Sequence, residues 1–338
     1  MYYVGIDLHK LDLVIAVEDE QGPVGKPRRL LCEDEAAIVE LFEKLRPFRA
    51  VIEASSSYRW LYERLSPMGQ VVLAHPLRLR AIVASRAKTD KLDAAMLAKL
   101  LRMDMIPAAY IPPREFQELR ELTRTRAKLA HAATRAKCEL HALLCRANVH
   151  PPFRNPFGVR GRRWFRTLGL GIAGNIARDE LLLRLEHYER ETAKLDEHLA
   201  KMAEQFPEHE ALTALYGIGV YSALLIVAEL GEVERFGNGR QVGSYAGLTA
   251  RVHQSGGHDY HGHITRQGSG WLRWVLVQAA MKLLRVDSAL NAFYTRIRKR
   301  SSKHIARVAV ARKLAGICWC RLRCWHREHG QAGTAAAH

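Results

Sequence analysis

The chain has 338 residues, 48% hydrophobic and 26% charged, which is enough for two or three compact domains with a substantial core and excludes a wholly disordered polypeptide. A net charge of +17 points to a phosphate-rich partner rather than a small neutral substrate. Six cysteines are too sparse for a disulfide framework and no apolar run reaches about 18 residues, so a cytoplasmic, nucleoid-associated protein with no membrane contact is expected.

The charge is unevenly spread. Residues 1–110 are almost balanced, whereas residues 240–338 carry 17 basic and 3 acidic side chains. Within the balanced part, Tyr2–Ile6, Leu13–Val17 and Val24–Leu31 read as short strands joined by tight turns, which predicts an antiparallel meander. A helix from Asp34 to about Leu45, a buried strand at Ala50–Ala54, a helix at Tyr58–Leu65, a strand at Val71–Ala74 and a helix opening at Asp90 follow. Three strands, helix, strand, helix, strand, helix is the order of an α/β ribonuclease H-like fold, so 1–110 is expected to be one catalytic domain.

Residues 111–208 read differently. Leu119, Leu122, Arg126, Leu129, Ala133, Ala136, Leu140 and Leu143 recur at spacings of three and four, and Leu185 to Phe206 carries a second such run. These predict two long helices with coiled-coil seams, pairing either within one chain or between chains. Between them, 149–170 is rich in Pro, Gly and Arg, including Arg160, Arg162 and Arg163, and is expected to form an extended basic tip. Residues 209–330 predict a mainly helical domain with a frayed tail at 331–338. Its Gly217-Ile218-Gly219 turn resembles a helix-hairpin-helix, whose backbone N–H groups can receive a phosphate, although a plain tight turn uses the same residues. Phe236–Gly270 is dense in turn signals, and Trp271–Arg285 and Ser301–Trp325 read as helices.

Chemistry concentrates in a few acids. Asp90 and Asp93 stand three apart at a helix start and so share a face, while Asp7 and Glu53 close two apolar strands. Four carboxylates around such a sheet suit Mg²⁺, a hard ion, and two ions about 4 Å apart can hold the attacking and leaving oxygens of a phosphoryl transfer. Helix capping and turn initiation are the ordinary alternatives for acids at these positions. Ser255 lies beside two glycines with Arg251, Arg266 and Arg273 nearby in sequence, a setting in which cations favour attack on a phosphate. Arg298, Lys299, Arg300, Lys303, Arg312 and Lys313 form a cationic stretch suited to phosphate contacts. Cys318, Cys320, Cys324, His326 and His329 lack the paired spacing of a structural zinc site.

Gly5-Ile6-Asp7, Ile52-Glu53-Ala54, Lys88-Thr89-Asp90 with Asp93-Ala94, Ala246-Gly247-Leu248-Thr249, Ser255-Gly256-Gly257, Gly262 to Gly268 and Val308 to Lys313 together resemble the DEDD transposases of insertion-sequence family 110. The resemblance implies a RuvC-like N-terminal domain, coiled-coil helices and a C-terminal transposase domain. It further implies an element-encoded bridge RNA that pairs with donor and target DNA, and dimers that pair into a tetramer. Asp7, Glu53, Asp90 and Asp93 match the family's metal-binding quartet, and Ser255 matches the serine that becomes covalently linked to DNA, the active site being completed between protomers. Family members often carry two serines before the Gly-Gly, where this chain has Gln254-Ser255. Two other readings of the same residues stay open: a RuvC-like structure-specific nuclease that uses water without a covalent intermediate, and a nucleic-acid-binding protein without catalysis.

Overall fold

Alternation of side chains between two covered faces of the first strand sets the architecture of the N-terminal part. In a computed structural model that describes residues 1–55, 57–82, 89–255 and 258–335, β1 (Tyr2–Leu8) turns Val4, Ile6 and Leu8 to one face and Tyr3, Gly5 and Asp7 to the other. The side chains of 252–255, 258–261 and 330–335 are left aside. The chain divides into two compact units, Met1–Ile111 and Pro112–His338.

In the first unit, β1 pairs antiparallel with β2 (Asp12–Glu18), and β2 in turn pairs antiparallel with β3 (Arg28–Leu31). After α1 (Glu35–Lys44), β4 (Phe48–Glu53) pairs parallel to β1; after α2 (Tyr58–Leu65), β5 (Gln70–Ala74) pairs parallel to β4. The sheet order is β3-β2-β1-β4-β5. The third strand is shorter than the pattern predicts, because Gly25 sits at φ +75° and Pro27 has no N–H to give the ladder. Val4, Ile6, Leu13, Ile15, Ala50 and Ile52 pack against Ile38 and Phe42 of α1 and Leu61 and Leu65 of α2.

The opposite sheet face is covered by α4 (Asp90–Arg102), which follows α3 (Pro76–Ile82), a short helix the sequence pattern did not separate. Ala94 and Ala98 meet Val14 and Ala16, and Leu97, Leu100 and Leu101 meet Val51 and Ala74. Gly5 makes this approach feasible. A Cβ there would stand 2.1 Å from the Ala94 carbonyl oxygen and 2.4 Å from the Ala98 nitrogen, so only a residue without a side chain lets the helix lie on β1.

The second unit is helical apart from one hairpin. Two of its long helices, α5 (Arg114–Arg146) and α7 (Gly171–Met202), pack antiparallel within the chain, with Ala133, Ala136, Leu140 and Leu144 against Leu181, Leu182 and Leu185. The polar seam residues have partners: Arg126 makes a paired contact to Asp196 at 2.9 Å and lies 4.2 Å from the Tyr221 ring, and Thr192 Oγ1 donates to the Tyr188 carbonyl at 2.7 Å. Residues 149–170 are not simply extended. They include α6 (Val159–Thr167), whose Phe165 is fully buried against Phe157 and Trp164, so aromatic burial overrides the helix-breaking composition around it.

Five further helices complete this unit: α8 (His209–Thr213), α9 (Val220–Leu230), α10 (Gly239–Tyr245), α11 (Gly270–Leu283) and α12 (Ser288–Arg300). They gather round a core shared with α13 (Lys303–Ala335). Residues Ala223–Leu230 of α9 are all buried, which explains its apolar character on every side. Arginines of α5 close its C-terminus: Arg120 donates to the Ala228 and Glu229 carbonyls at 2.6 and 2.8 Å, and Arg124 grips the buried Glu229 carboxylate at 2.6 and 2.9 Å. Between α10 and α11, β6 (Ala250–Ser255) and β7 (His258–Ile264) form an antiparallel hairpin where turns alone were expected. No helix among the described residues is long and apolar enough to cross a membrane.

Candidate active site

Period-two alternation brings Asp7 and Glu53 to the same side of the sheet. Asp7 shares the face of Gly5, and Glu53 shares that of Val51, which is the face under α4. The parallel register pairs Ile6 with Ile52, so the two acids follow one step later on neighbouring strands. The N-terminus of α4 arrives there because Thr89 caps it: its side chain accepts from the Leu92 N–H at 3.3 Å, and its carbonyl accepts from the Asp93 N–H. Asp90 and Asp93 occupy the first turn of that helix, where negative charge is favoured by the helix dipole.

The electrostatics record this convergence. Burial raises the Asp7 carboxyl above its ordinary pKa; His9 opposes the shift, while the negative charges of Asp90, Asp93 and Glu53 add to it. The other three acids thus all bear on Asp7. His9 Nε2 stands 3.2 Å from Asp7 Oδ2 and 3.5 Å from Asp90 Oδ1, and donor atoms of these three residues lie within 4.8 Å of one another. Arg29, on β3, bridges Asp12 Oδ2 at 2.5 Å and Asp90 Oδ2 at 2.6 Å. Neither His9 nor Arg29 belonged to the expected set. His9 was legible in principle, since it continues the two-residue period of Asp7 into the β1–β2 turn.

Ser255 is in the other unit, as the last residue of β6, opposite His258 at the end of the ladder nearest the turn. Its side chain, Gly256, Gly257 and Lys88 lie outside the described residues. At the base of the same hairpin the motif glycines have a steric cause. Gly247 and Gly268 have φ of +66° and +103°, and a Cβ on Gly268 would fall 1.9 Å from the Tyr245 carbonyl oxygen. Arg273 Nη1 donates to the Ala246 carbonyl at 3.0 Å; burial lowers its pKa and the charge of Arg266 lowers it further, so these two cations share the hairpin base.

The remaining expected contacts separate into occupied and exposed groups. Arg162 is held by the Phe157 carbonyl at 2.7 Å and by Glu189, whereas Arg160 and Arg163 are exposed on α6. Gly217, at φ +90°, lets Lys282 of α11 approach closely, while Gly219 begins α9 with open space around it. Arg298, Lys299 and Arg300 are exposed in the last turn of α12, with Lys303 exposed after them. Arg296, Lys299 and Arg300 line an open groove of about 630 Å³ with Ser288, Asn291 and Thr295. Arg312 is exposed and passes over Gly243, and Lys313 Nζ lies 3.8 Å from the centre of the Phe293 ring. Cys318 is buried and its thiol is pushed up to about 12 by desolvation, unlike a metal-bound thiolate; Cys320 and Cys324 are exposed.

The Transposase IS116/IS110/IS902 family matches residues 209–295, and the DEDD transposase family of the IS110 type matches residues 4–149. A probable family 20 transposase of Pseudomonas aeruginosa is 26% identical, covering 94% of this chain and 96% of its own length. The transposase of insertion sequence element IS1111A of Coxiella burnetii is 25% identical, over 94% of this chain and 89% of its own. That of IS1328 of Yersinia enterocolitica is 24% identical, over 94% and 95%. With one family match running from the first unit through α5, a second farther along the second unit, and relatives aligned along nearly the whole chain, the protein belongs to the DEDD transposases of the IS110 family and is a DNA transposase of an insertion sequence.

Proposed function

We propose that this transposase is RNA-guided and joins DNA through a covalent serine intermediate. On this reading the first unit is a ribonuclease H-like, RuvC-like catalytic domain, the α5–α7 pair is a coiled-coil arm, and residues 209–330 form the transposase domain. The mixed strand order β3-β2-β1-β4-β5 and the helix laid across it support the first assignment. The observation that supports it is the placement of Asp7 and Glu53 on the α4 side of neighbouring strands, with Asp90 and Asp93 in the first turn of α4.

The donor set fits a hard divalent cation, since it offers carboxylate oxygens, of which, among the described residues, Arg29 meets Asp90 Oδ2. Asp7, Glu53, Asp90 and Asp93 would hold Mg²⁺, as two ions, and the metal supplies Lewis-acid stabilisation of charge on the attacking and leaving oxygens. Ser255 Oγ forms a bond to the scissile phosphorus while the bond from phosphorus to the sugar oxygen breaks. The hydroxyl proton passes to that departing oxygen through solvent, leaving a phosphoserine-linked DNA end. Arg266 and Arg273 counter the phosphate charge, and Arg160, Arg163, Gly219 and the exposed cations of α12 and α13 bind the phosphates of donor DNA, target DNA and bridge RNA. The protein acts as dimers pairing into a tetramer, with Ser255 of one protomer serving the acids of another.

The test is a denaturing gel of the protein with its guide RNA and end-labelled element DNA. Wild type is expected to give a protein–DNA adduct that Ser255→Ala does not form. An adduct retained by Ser255→Ala would refute the serine assignment, and strand cleavage without any adduct would favour attack by water instead.

A further inference from the structure

We infer that His9 is a direct metal ligand of the acidic site and that it shifts the site's preference from Mg²⁺ toward Mn²⁺. The inference rests on the metal-site reading above, and it adds a nitrogen donor that the four-carboxylate scheme lacks. An ion bound about 2.1 Å from each of two adjacent ligands needs those atoms about 3 Å apart. His9 Nε2 meets this to both neighbours, at 3.2 Å from Asp7 Oδ2 and 3.5 Å from Asp90 Oδ1.

The surroundings fix these three atoms. Arg29 takes Asp90 Oδ2 at 2.6 Å, which leaves Oδ1 as the oxygen turned toward His9. The His9 N–H donates to the Asp12 carbonyl at 2.9 Å and its carbonyl receives the Cys32 thiol, so the turn that carries the imidazole is tied at both backbone groups. Arg29 also grips Asp12 and thereby links the same turn to Asp90. Arg29 is therefore a positioning residue, acting through Asp90 in the way outer partners orient metal-bound carboxylates.

Ligand chemistry gives the consequence. Mg²⁺ takes oxygen and keeps its waters, whereas Mn²⁺ accepts imidazole beside carboxylate. A protonated His9 that only neutralises the acids would instead leave the site without preference for Mn²⁺ and without a metal–nitrogen bond.

Electron spin-echo spectroscopy of Mn²⁺ bound to the full-length protein separates the two. Wild type is expected to show ¹⁴N modulation from a bound imidazole, and His9→Gln to lose it. In His9→Gln, Mn²⁺ affinity should fall about 10-fold or more while Mg²⁺ affinity changes less than about 3-fold. His9→Asp, with oxygen in place of nitrogen, should regain Mn²⁺ affinity with no ¹⁴N signal, which guards against a folding defect in His9→Gln. Wild-type Mn²⁺ without nitrogen coupling, or coupling that persists in His9→Gln, would overturn the inference while leaving the carboxylate site intact. If Asp7→Asn binds Mn²⁺ as wild type does, the acidic site itself is wrong and His9 falls with it.

Discussion

The two units solve opposite electrostatic problems. The first is nearly neutral in total, yet it crowds Asp7, Glu53, Asp90 and Asp93 under one helix and leaves their repulsion visible at Asp7. The second carries most of the excess positive charge, yet in its interior Arg124 is paired with the buried Glu229. A protein that handles polyanions needs both. Clustered negative charge creates a place for a cation, whereas exposed surface cations attract phosphate.

The largest effect on stability is expected in the interior of the second unit. Arg124→Ala strands the buried Glu229 carboxylate and should cost about 3–5 kcal/mol, read as a fall in denaturation midpoint. Replacing both partners with apolar residues of similar size should recover much of the loss. If Arg124→Ala instead unfolds like wild type, the contrast between careful pairing here and crowding in the first unit is unfounded.

In the first unit, Gly5→Ala drives a methyl into the backbone of α4 and should cost about 1–3 kcal/mol while shifting Asp90 and Asp93. Transposition should fall by more than the lost stability accounts for, because the acids move with the helix. Measuring thermal midpoint and strand transfer on one preparation checks both parts.

Asp7→Asn should act in the other direction on stability. The folded pKa of Asp7 lies above its unfolded value near 3.8, so its ionisation opposes folding; the penalty is present above the folded pKa and is relieved as pH falls through it. Metal-free Asp7→Asn should therefore melt about 1–2 °C above wild type at neutral pH, a small rise because solvent screens a half-buried acid. The gap should narrow as pH approaches 4. A divalent ion should raise the wild-type midpoint and leave that of Asp7→Asn nearly unchanged.

Surface cations should give the smallest stability effect and a clear binding effect. Arg298→Ala and Lys299→Ala are exposed in the final turn of α12 and should alter stability by less than about 0.5 kcal/mol. Each should reduce the slope of log affinity against log salt for nucleic acid by about one. At cysteine the same division of buried and exposed appears: Cys320 and Cys324 should react with a thiol reagent at pH 8 while Cys318 stays protected until unfolding.

The parts of the molecule that were readable from residues alone are those governed by a short period. Alternation along β1 and β4 placed Asp7 and Glu53 at strand ends, and the three-residue spacing of Asp90 and Asp93 placed both on one turn of α4. What escaped depends on contacts between distant segments. Arg29 reaches Asp90 across 61 positions, and no local pattern announces it. The β6–β7 hairpin was hidden because its glycines and histidines signal turns, although its strands pair across a short connection, from Ser255 with His258 out to Ala250 with Ile264. Helix α6 was hidden by glycine and arginine, since it is anchored in the arm by Phe165 and Trp164. The small alanines of the α5 seam were legible, but whether the partner helix came from the same chain was not, because a heptad specifies a face and no particular neighbour.

The central claim is that the acids of the first unit form the metal-dependent site of the transposase. Its most direct test is strand transfer by Asp90→Asn, with guide RNA and element DNA, across a titration of Mg²⁺. Wild type should show a metal-dependent rise to full activity, and Asp90→Asn should lose at least about 100-fold at saturating metal while still binding the DNA. Full strand transfer by Asp90→Asn in Mg²⁺ would contradict the account.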